Sequence, residues 1–458
     1  MRSDRAMKAR KMPDRLSHAV AIVMLAVAFV TFPVVLAARA DVEIQEVTSE
    51  EGITAWLVED YTVPIVTIRF AFSGGSAQDP DGRDGLTNLM TGLFDEGVGE
   101  LESAAFQERM DDAGGEMSFS AGRDALYGSI RMLAEDREEV LDLLRMAITE
   151  PRFDQAPLDR IRAQVLTGLQ SRERDPQHQG RQAFARALYG DHPYARPDEG
   201  TSETLAAIEP DDLHELHRRL FARSHLNVAV VGAIDAATLA AELDRVFGGL
   251  PAQADLTAIE PVEPALAQEV AYEFALPQTS LQLVYPGVAR EDEDFFAAFL
   301  MNHVLGGGTF SSRLFSEVRE ARGLTYGIGS WLRTDDFTHS LNIATSTRSD
   351  RVEEALEVIK AEIARMVEEG PTEEELADAK RYLIGAYPIN NLDTSSSVAR
   401  TLVELQRNEM GIDYITRRED LINEVTREDV HRAARRLLTA DPAIMVIGPA
   451  RQGSVQPG

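Results

Sequence analysis

The chain has 458 residues, 44% hydrophobic and 27% charged, with a formal net charge of −30. This excludes collagen-like, low-complexity and wholly disordered classes and allows two or three domains with an ample core. So acidic a surface repels nucleic acid. The absence of cysteine excludes disulfides, thiolate zinc sites, iron–sulfur clusters, a cysteine nucleophile and an acylated lipoprotein anchor.

At the N-terminus, Arg2, Arg5, Lys8, Arg10, Lys11 and Arg15 precede an apolar run from Ala19 to Ala38, which ends in Ala38-Arg39-Ala40. A basic leader, an apolar stretch and a small-x-small exit have the form of a secretory signal peptide over residues 1–40. The competing reading is an uncleaved anchor, since ~20 apolar residues can span a bilayer. Export of a cysteine-free acidic protein fits a bacterial periplasm, or an inner-membrane anchor facing it. Residues 41–458 carry 39 Lys/Arg against 74 Asp/Glu. That charge is compatible with basic partners or substrates, although a solvated surface is its commoner meaning.

The remainder reads as two halves of one plan. In the first, residues 41–250, strands are expected at Ile53 to Val58 and Pro64 to Phe72, where β-branched and aromatic residues cluster. A Gly/Asp-rich loop follows from Ser73 to Gly85, then a helix over Leu86 to Phe94. Helical spacing of Val140, Leu141, Leu144 and Ile148 predicts a helix over Asp136 to Ile148, with another from Leu158. Leu226 to Gly232 is a buried strand. Residues 251–267, with Pro251, Pro261 and Pro264 and no clear period, read as a linker.

In the second half, residues 268–452, Leu281 to Tyr285 is a strand, and Asp294 to Val304 a helix ending at Gly306-Gly307-Gly308. Val352 to Glu369 is an amphipathic helix stopped by Gly370-Pro371, and Thr372 with Glu375 has capping-box spacing for the next. Ala443 to Gly448 echoes the strand that closes the first half, and residues 453–458 form a tail. The helix–turn–helix beginning at Arg137 matches in length the one beginning at Arg351. A period of roughly 200 residues is too long for a solenoid and indicates a duplicated α+β domain.

Four segments carry a family likeness: GRDGLTNLMTGLFDEGVGELES from Gly82, LYGDHPYARPDEGTSETLAAI from Leu188, LNVAVVGAID from Leu226, and LGGGTFSSRLFSEVREARGLTYGIGS from Leu305. In order and spacing they resemble the insulinase/pitrilysin family of zinc peptidases, in its processing-peptidase-like bacterial branch. The resemblance implies two homologous α+β domains facing across a chamber. It also implies an inverted zinc motif, H-x-x-E-H, on the first long helix, with a third ligand, a Glu, about seventy to eighty residues on. Here the first His position falls on Asn88, the catalytic Glu on Thr91, the second His on Gly92 and the third ligand on Gly168. Neither H-x-x-E-H nor H-E-x-x-H occurs. The resemblance therefore implies no zinc or other cofactor in this chain.

The second half retains more. In active relatives an Arg and a Tyr reach from the C-terminal domain to the zinc, and Arg319 and Tyr326 in VREARGLTY resemble them. A guanidinium and a phenolic hydroxyl suit the oxyanion formed when water attacks a peptide carbonyl. Gly306, Gly307 and Gly308 resemble the family's substrate-contacting glycine segment; a helix cap and turn is the plain alternative. The triplet is not a phosphate loop, because Lys-Ser/Thr does not follow. His214 and His217 read as a solvated helix face rather than a metal pair, His192 as part of a turn with Pro193, and His303 as a packed residue. The strand after Gly114-Gly115 resembles the edge where relatives pair substrate backbone.

The expected function is that of a zinc-free, non-catalytic or co-catalytic subunit of a heterodimeric periplasmic metallopeptidase. A zinc-bearing subunit of the same family would be its partner, and peptides or unfolded polypeptides its substrates. The alternatives are a structural or assembly protein, a peptide-binding protein acting alone, and an autonomous peptidase with a different site.

Overall fold

The structure, a computed structural model, describes residues 43–450; the expected signal segment and the C-terminal tail lie outside the described residues. The first half comprises β1 (Gln45–Thr48), β2 (Thr54–Glu59), β3 (Ile65–Ser73), α1 (Leu86–Thr91), α2 (Ser103–Asp112), β4 (Glu116–Ala121), β5 (Ala125–Leu133), α3 (Arg137–Thr149), α4 (Gln155–Glu173), α5 (Pro176–Tyr189), α6 (Pro210–Leu220), β6 (Leu226–Gly232) and α7 (Ala236–Phe247). Its sheet runs β1-β2-β6-β3-β5-β4, with only β2 and β6 parallel.

The second half comprises β7 (Glu269–Glu273), β8 (Gln278–Pro286), α8 (Phe295–Asn302), β9 (Thr325–Asp335), β10 (Thr338–Arg348), α9 (Val352–Glu369), α10 (Glu373–Asn391), α11 (Ser395–Arg407), α12 (Tyr414–Glu424), α13 (Arg427–Leu438) and β11 (Ala443–Gly448). Its sheet runs β7-β11-β8-β10-β9, with only β7 and β11 parallel. Strand for strand this repeats β2-β6-β3-β5-β4, so the duplication read from the helices extends to the sheet topology.

Strand β3 is buried on both faces, which is why Ile65 to Phe72 places apolar residues on both faces, interrupted only by Thr67 and Arg69, rather than alternating strictly. Helices of its own half cover one face. The other is covered by α11, which lies on β3 and β6, while α5 of the first half lies on β7 and β11 of the second. Each half thus lends a helix to the other's sheet. Gln406 of α11 clamps the backbone of β6: its Nε2 donates to Val228 O at 2.8 Å, and its Oε1 accepts from Val228 N at 3.2 Å. Reciprocally, Phe184, Leu188, Tyr189 and Tyr194 share an apolar cluster with Val284, Met445 and Ile447. Gly180 permits the approach of α5, since a Cβ there would stand 2.5 Å from Ile447 Cγ1.

The Thr372–Glu375 capping box forms as expected at the start of α10. Two helices differ from expectation. Helix α1 stops at Thr91, three residues short of Phe94, with Gly92 as its cap. Helix α8 ends at Asn302, and the chain continues into a π-turn, His303–Gly307, closed by Gly308 N donating to His303 O at 2.8 Å. The segment between α7 and β7 has neither helix nor strand, but it is tied down: Thr257 N donates to Gln78 Oε1 at 2.8 Å and Val262 N to Phe337 O at 2.8 Å.

Candidate functional site

In the first half, the positions of interest lie on α1 and α4. Gly85 enters α1 at φ +90°, a left-handed conformation that glycine adopts without strain. The buried Asp79 carboxylate accepts from Gly85 N (2.9 Å), Thr87 N (2.9 Å) and Thr87 Oγ1 (2.5 Å), so a distant side chain satisfies the helix start. Burial pushes Asp79 up to about 7, against the pull of those donors. Thr91 Oγ1 donates to Asn88 O at 2.7 Å, inside the helix. Gly92 ends the helix, and a Cβ there would stand 3.1 Å from Ile161 Cγ2 on α4. A Cβ at Gly168 on α4 would stand 3.9 Å from Arg172 Nη2, an ordinary contact.

These residues do not fit zinc. Two glycines supply no donor atom, the Thr91 hydroxyl is turned onto its own helix, and a lone amide cannot replace two imidazoles and a carboxylate. Among the described residues no group of three or more His, Cys, Asp or Glu side chains is arranged to hold a metal ion.

In the second half, Arg319 lies on a second π-helical stretch, Phe315–Glu320, where Ala321 N donates to Ser316 O at 2.9 Å. Such distortions occur frequently at functional sites. The Arg319 guanidinium sits 4.6 Å from the Phe315 ring centre and 5.4 Å from that of Tyr326. Tyr326 is 88% exposed. It owes that position to a register shift between Thr325 and Ile328 on β9, an edge strand. The bulge is held by Thr325 Oγ1, which accepts from Gly327 N at 3.2 Å. Arg319 has no carboxylate partner among the described residues. The structure therefore brings Arg319 and Tyr326 together, with the phenol in solvent.

The glycine triplet has a packing explanation at each position. A Cβ would come 2.5 Å from Ser330 Oγ at Gly306, 2.7 Å from Asn302 Nδ2 at Gly307 and 2.8 Å from His303 O at Gly308. The π-turn lies against β9 through Gly306, on the strand that carries Tyr326. Gly307 remains exposed.

The histidine pair requires a correction. His217 is not on a solvated face: it is buried, stacks on Phe221 at 4.4 Å, and its Nε2 bonds Ile148 O at 2.9 Å. Burial pulls it down to about 4. His214 is half-buried, edge-on to Phe153. Leu213, Leu216 and Leu220 recur at helical spacing on the buried face of α6, and His217 falls on it. His192 caps the turn it opens, accepting from Tyr194 N at 3.1 Å, and His303 is buried against Tyr382. Strand β4 is an edge of the first sheet. The Asp79 cap, the β9 bulge and the π-turns carry no signal in the sequence alone. Asp79 and the positive-φ Gly85 leave no distinctive spacing, and a bulge depends on the partner strand.

Two α+β halves of one topology, with Arg319 beside an exposed Tyr326, define a peptidase-like protein. The family described as "Insulinase (Peptidase family M16)" matches residues 55–202, and "Peptidase M16 inactive domain" matches residues 207–383. A crystal structure of a peptidase M16 inactive domain from Pseudomonas fluorescens is 30% identical, with a TM-score of 0.82 over 89% of this chain and 98% of that one. The chain belongs to the insulinase family, peptidase family M16. The uncharacterized zinc protease YmxG of Bacillus subtilis is 25% identical over 410 residues, 89% of this chain and 98% of that protein. The non-peptidase homolog YmxG of Helicobacter pylori is 25% identical over 347 residues, 75% of this chain and 79% of that protein.

Proposed function

We propose that this chain is the zinc-free subunit of a two-chain periplasmic metallopeptidase. A partner of the same family holds the zinc and its general base. This chain contributes Arg319, Tyr326 and one half of the substrate chamber. The carrying observation is the Arg319–Tyr326 pair: adjacent, outward-facing and without a carboxylate partner among the described residues. An exposed tyrosine on a bulged edge strand adds nothing to the core, whereas a guanidinium and phenol offered together suit an oxyanion formed on another chain's metal. Gly307, exposed, with the exposed Phe310 just beyond it, would serve as a substrate contact in this reading. The names of the relatives, a zinc protease and a non-peptidase homolog, support a family in which the fold outlasts the metal site. The basic and apolar leader supports export. No helix among the described residues is long and apolar enough to cross a membrane.

The test is reconstitution with a family member that carries H-x-x-E-H. Arg319→Ala and Tyr326→Phe are each expected to lower kcat by about 10²–10³, with the partner's zinc content unchanged. Silent variants in an active pair would assign this chain a structural or assembly role. The chain purified alone is expected to retain less than about a tenth of an equivalent of zinc after dialysis. Stoichiometric, chelator-sensitive zinc would overturn the reading.

A further inference from the structure

A polar cavity lies away from both Arg319 and the degenerate zinc positions. It has a volume of about 410 Å³ and is formed where α5 of the first half meets β8, β9 and β10 of the second. Cavities that hold small ligands span about 300–1,000 Å³. Although the chain is strongly acidic, four arginines line this cavity against two carboxylates. Both carboxylates are engaged: Asp198 takes two bonds from Arg123, at 3.0 and 3.1 Å, and Glu199 pairs with Arg172. Three of the arginines are engaged as well, Arg123 with Asp198, Arg196 with Asp81 at 3.2 Å, and Arg333 with Asp335. The fourth, Arg181, has no partner among the described residues.

The next residue on the same helix has an unpaired acceptor. Gln182 follows Arg181, and its Oε1 is buried without a hydrogen-bond partner. A buried acceptor left unpaired is costly, and an N–H from a ligand would satisfy it. Phe184 and Leu188, both buried, supply an apolar wall. A free cation, an unpaired acceptor and an apolar wall on one helix match three features of one chemical group: a carboxylate, the amide N–H beside it, and an apolar side chain.

We propose that this cavity between the halves binds the carboxyl end of a peptide. The terminal carboxylate meets Arg181, the last amide N–H donates to Gln182 Oε1, and the terminal side chain rests on Phe184 and Leu188. The far wall comes from the second half, where Gln282 Nε2 donates to Asn342 Oδ1 at 3.0 Å, so an occupant touches both halves at once. The site uses neither Arg319 nor a partner's zinc, and is tested on this chain alone; its failure leaves the in-trans proposal standing, and the reverse.

The experiment is calorimetric titration of the purified chain with Ac-Ala-Ala-Leu carboxylate, the corresponding C-terminal amide, and N-acetyl-leucine. The acid is expected to bind and the amide to bind at least about tenfold more weakly, because a charge-assisted bond is lost. Arg181→Gln is expected to weaken the acid about tenfold. Arg181 is exposed, so this variant is expected to melt with the parent; Arg381→Gln, on the exposed face of α10, is the control and leaves binding unchanged. N-acetyl-leucine binding as tightly as the tripeptide would assign recognition to the terminal residue, and weaker binding would assign it to a longer peptide end; both support the carboxylate site. Equal binding of acid and amide, binding of neither, or full binding by Arg181→Gln would overturn it.

Discussion

Arg319 and Tyr326 are held by little. Tyr326 is 88% exposed, and Arg319 rests on two aromatic rings. Truncation at either position is therefore expected to change the stability of the isolated chain by no more than about 0.5 kcal/mol, the usual range for surface substitutions. Denaturant titration of Arg319→Ala and Tyr326→Phe checks this, and a loss well above that figure would mean that the pair is structural. His217 is the opposite case. Its pKa is lowered to about 4 by burial, whereas an unfolded His titrates near 6.5. The unfolded chain then binds more protons between those values, so stability is fully present above about 6.5 and is lost as the pH falls toward 4. The loss is about 3 kcal/mol at the lower end. His217→Gln keeps a donor for Ile148 O but cannot take up the proton. Its stability relative to the parent is expected to rise as the pH drops through this window; a difference independent of pH would place His217 in contact with water.

At the scale of elements, glycine sets how closely helices approach sheets. Gly180→Ala places a methyl group against the fully buried Ile447 and is expected to cost about 1–3 kcal/mol, the range for overpacking a tight contact. An unchanged unfolding midpoint would show that α5 can lift from β11 freely. Helices were legible in the sequence to different extents. Val352 to Glu369 could be read from end to end because Val352, Ala355, Leu356, Ile359, Ile363 and Met366 recur at helical spacing and Gly370-Pro371 stops them. Periodicity shows that a face is apolar, but not what covers it. Val398, Ala399, Leu402 and Val403 on α11 are buried against the sheet of the other half, and nothing local in their spacing says so. Arg319 and Tyr326 were found through a motif, and their adjacency follows from a bulge that no motif describes. The short α1 shows a different limit: Leu86 to Phe94 has a helical pattern throughout, yet Gly92 ends it.

At the scale of the whole molecule, the exchange of α5 and α11 makes the two halves dependent on each other. Each sheet would present an apolar face to water without the helix lent by its neighbour. Polar contacts at the junction reinforce the exchange. Tyr194 Oη donates to Asp124 Oδ1 at 2.6 Å, Asp336 N donates to Asp124 Oδ2 at 3.1 Å, and Arg407 bonds Tyr127 Oη at 2.7 Å and Asp336 Oδ2 at 3.2 Å. Burial pushes Asp336 up to about 6, and Arg407 opposes that shift. Removing this guanidinium with Arg407→Ala leaves Asp336 and the Tyr127 hydroxyl without it, at an expected cost of about 2 kcal/mol, less than a fully buried pair because Asp336 is half-exposed. The larger consequence concerns cooperativity. Independent domains melt separately when their interface is small and polar. Here the interface includes a lent helix on each side, so residues 43–450 are expected to unfold in one calorimetric transition, and residues 43–250 expressed alone are expected to aggregate for want of α11. Co-expression with residues 251–450 restores the missing cover and is expected to yield a folded complex of the two fragments. Two well-separated transitions in the intact chain, or a stable monomeric first half, would mean that each sheet is closed by its own helices and that α5 and α11 are only guests on the surfaces they touch.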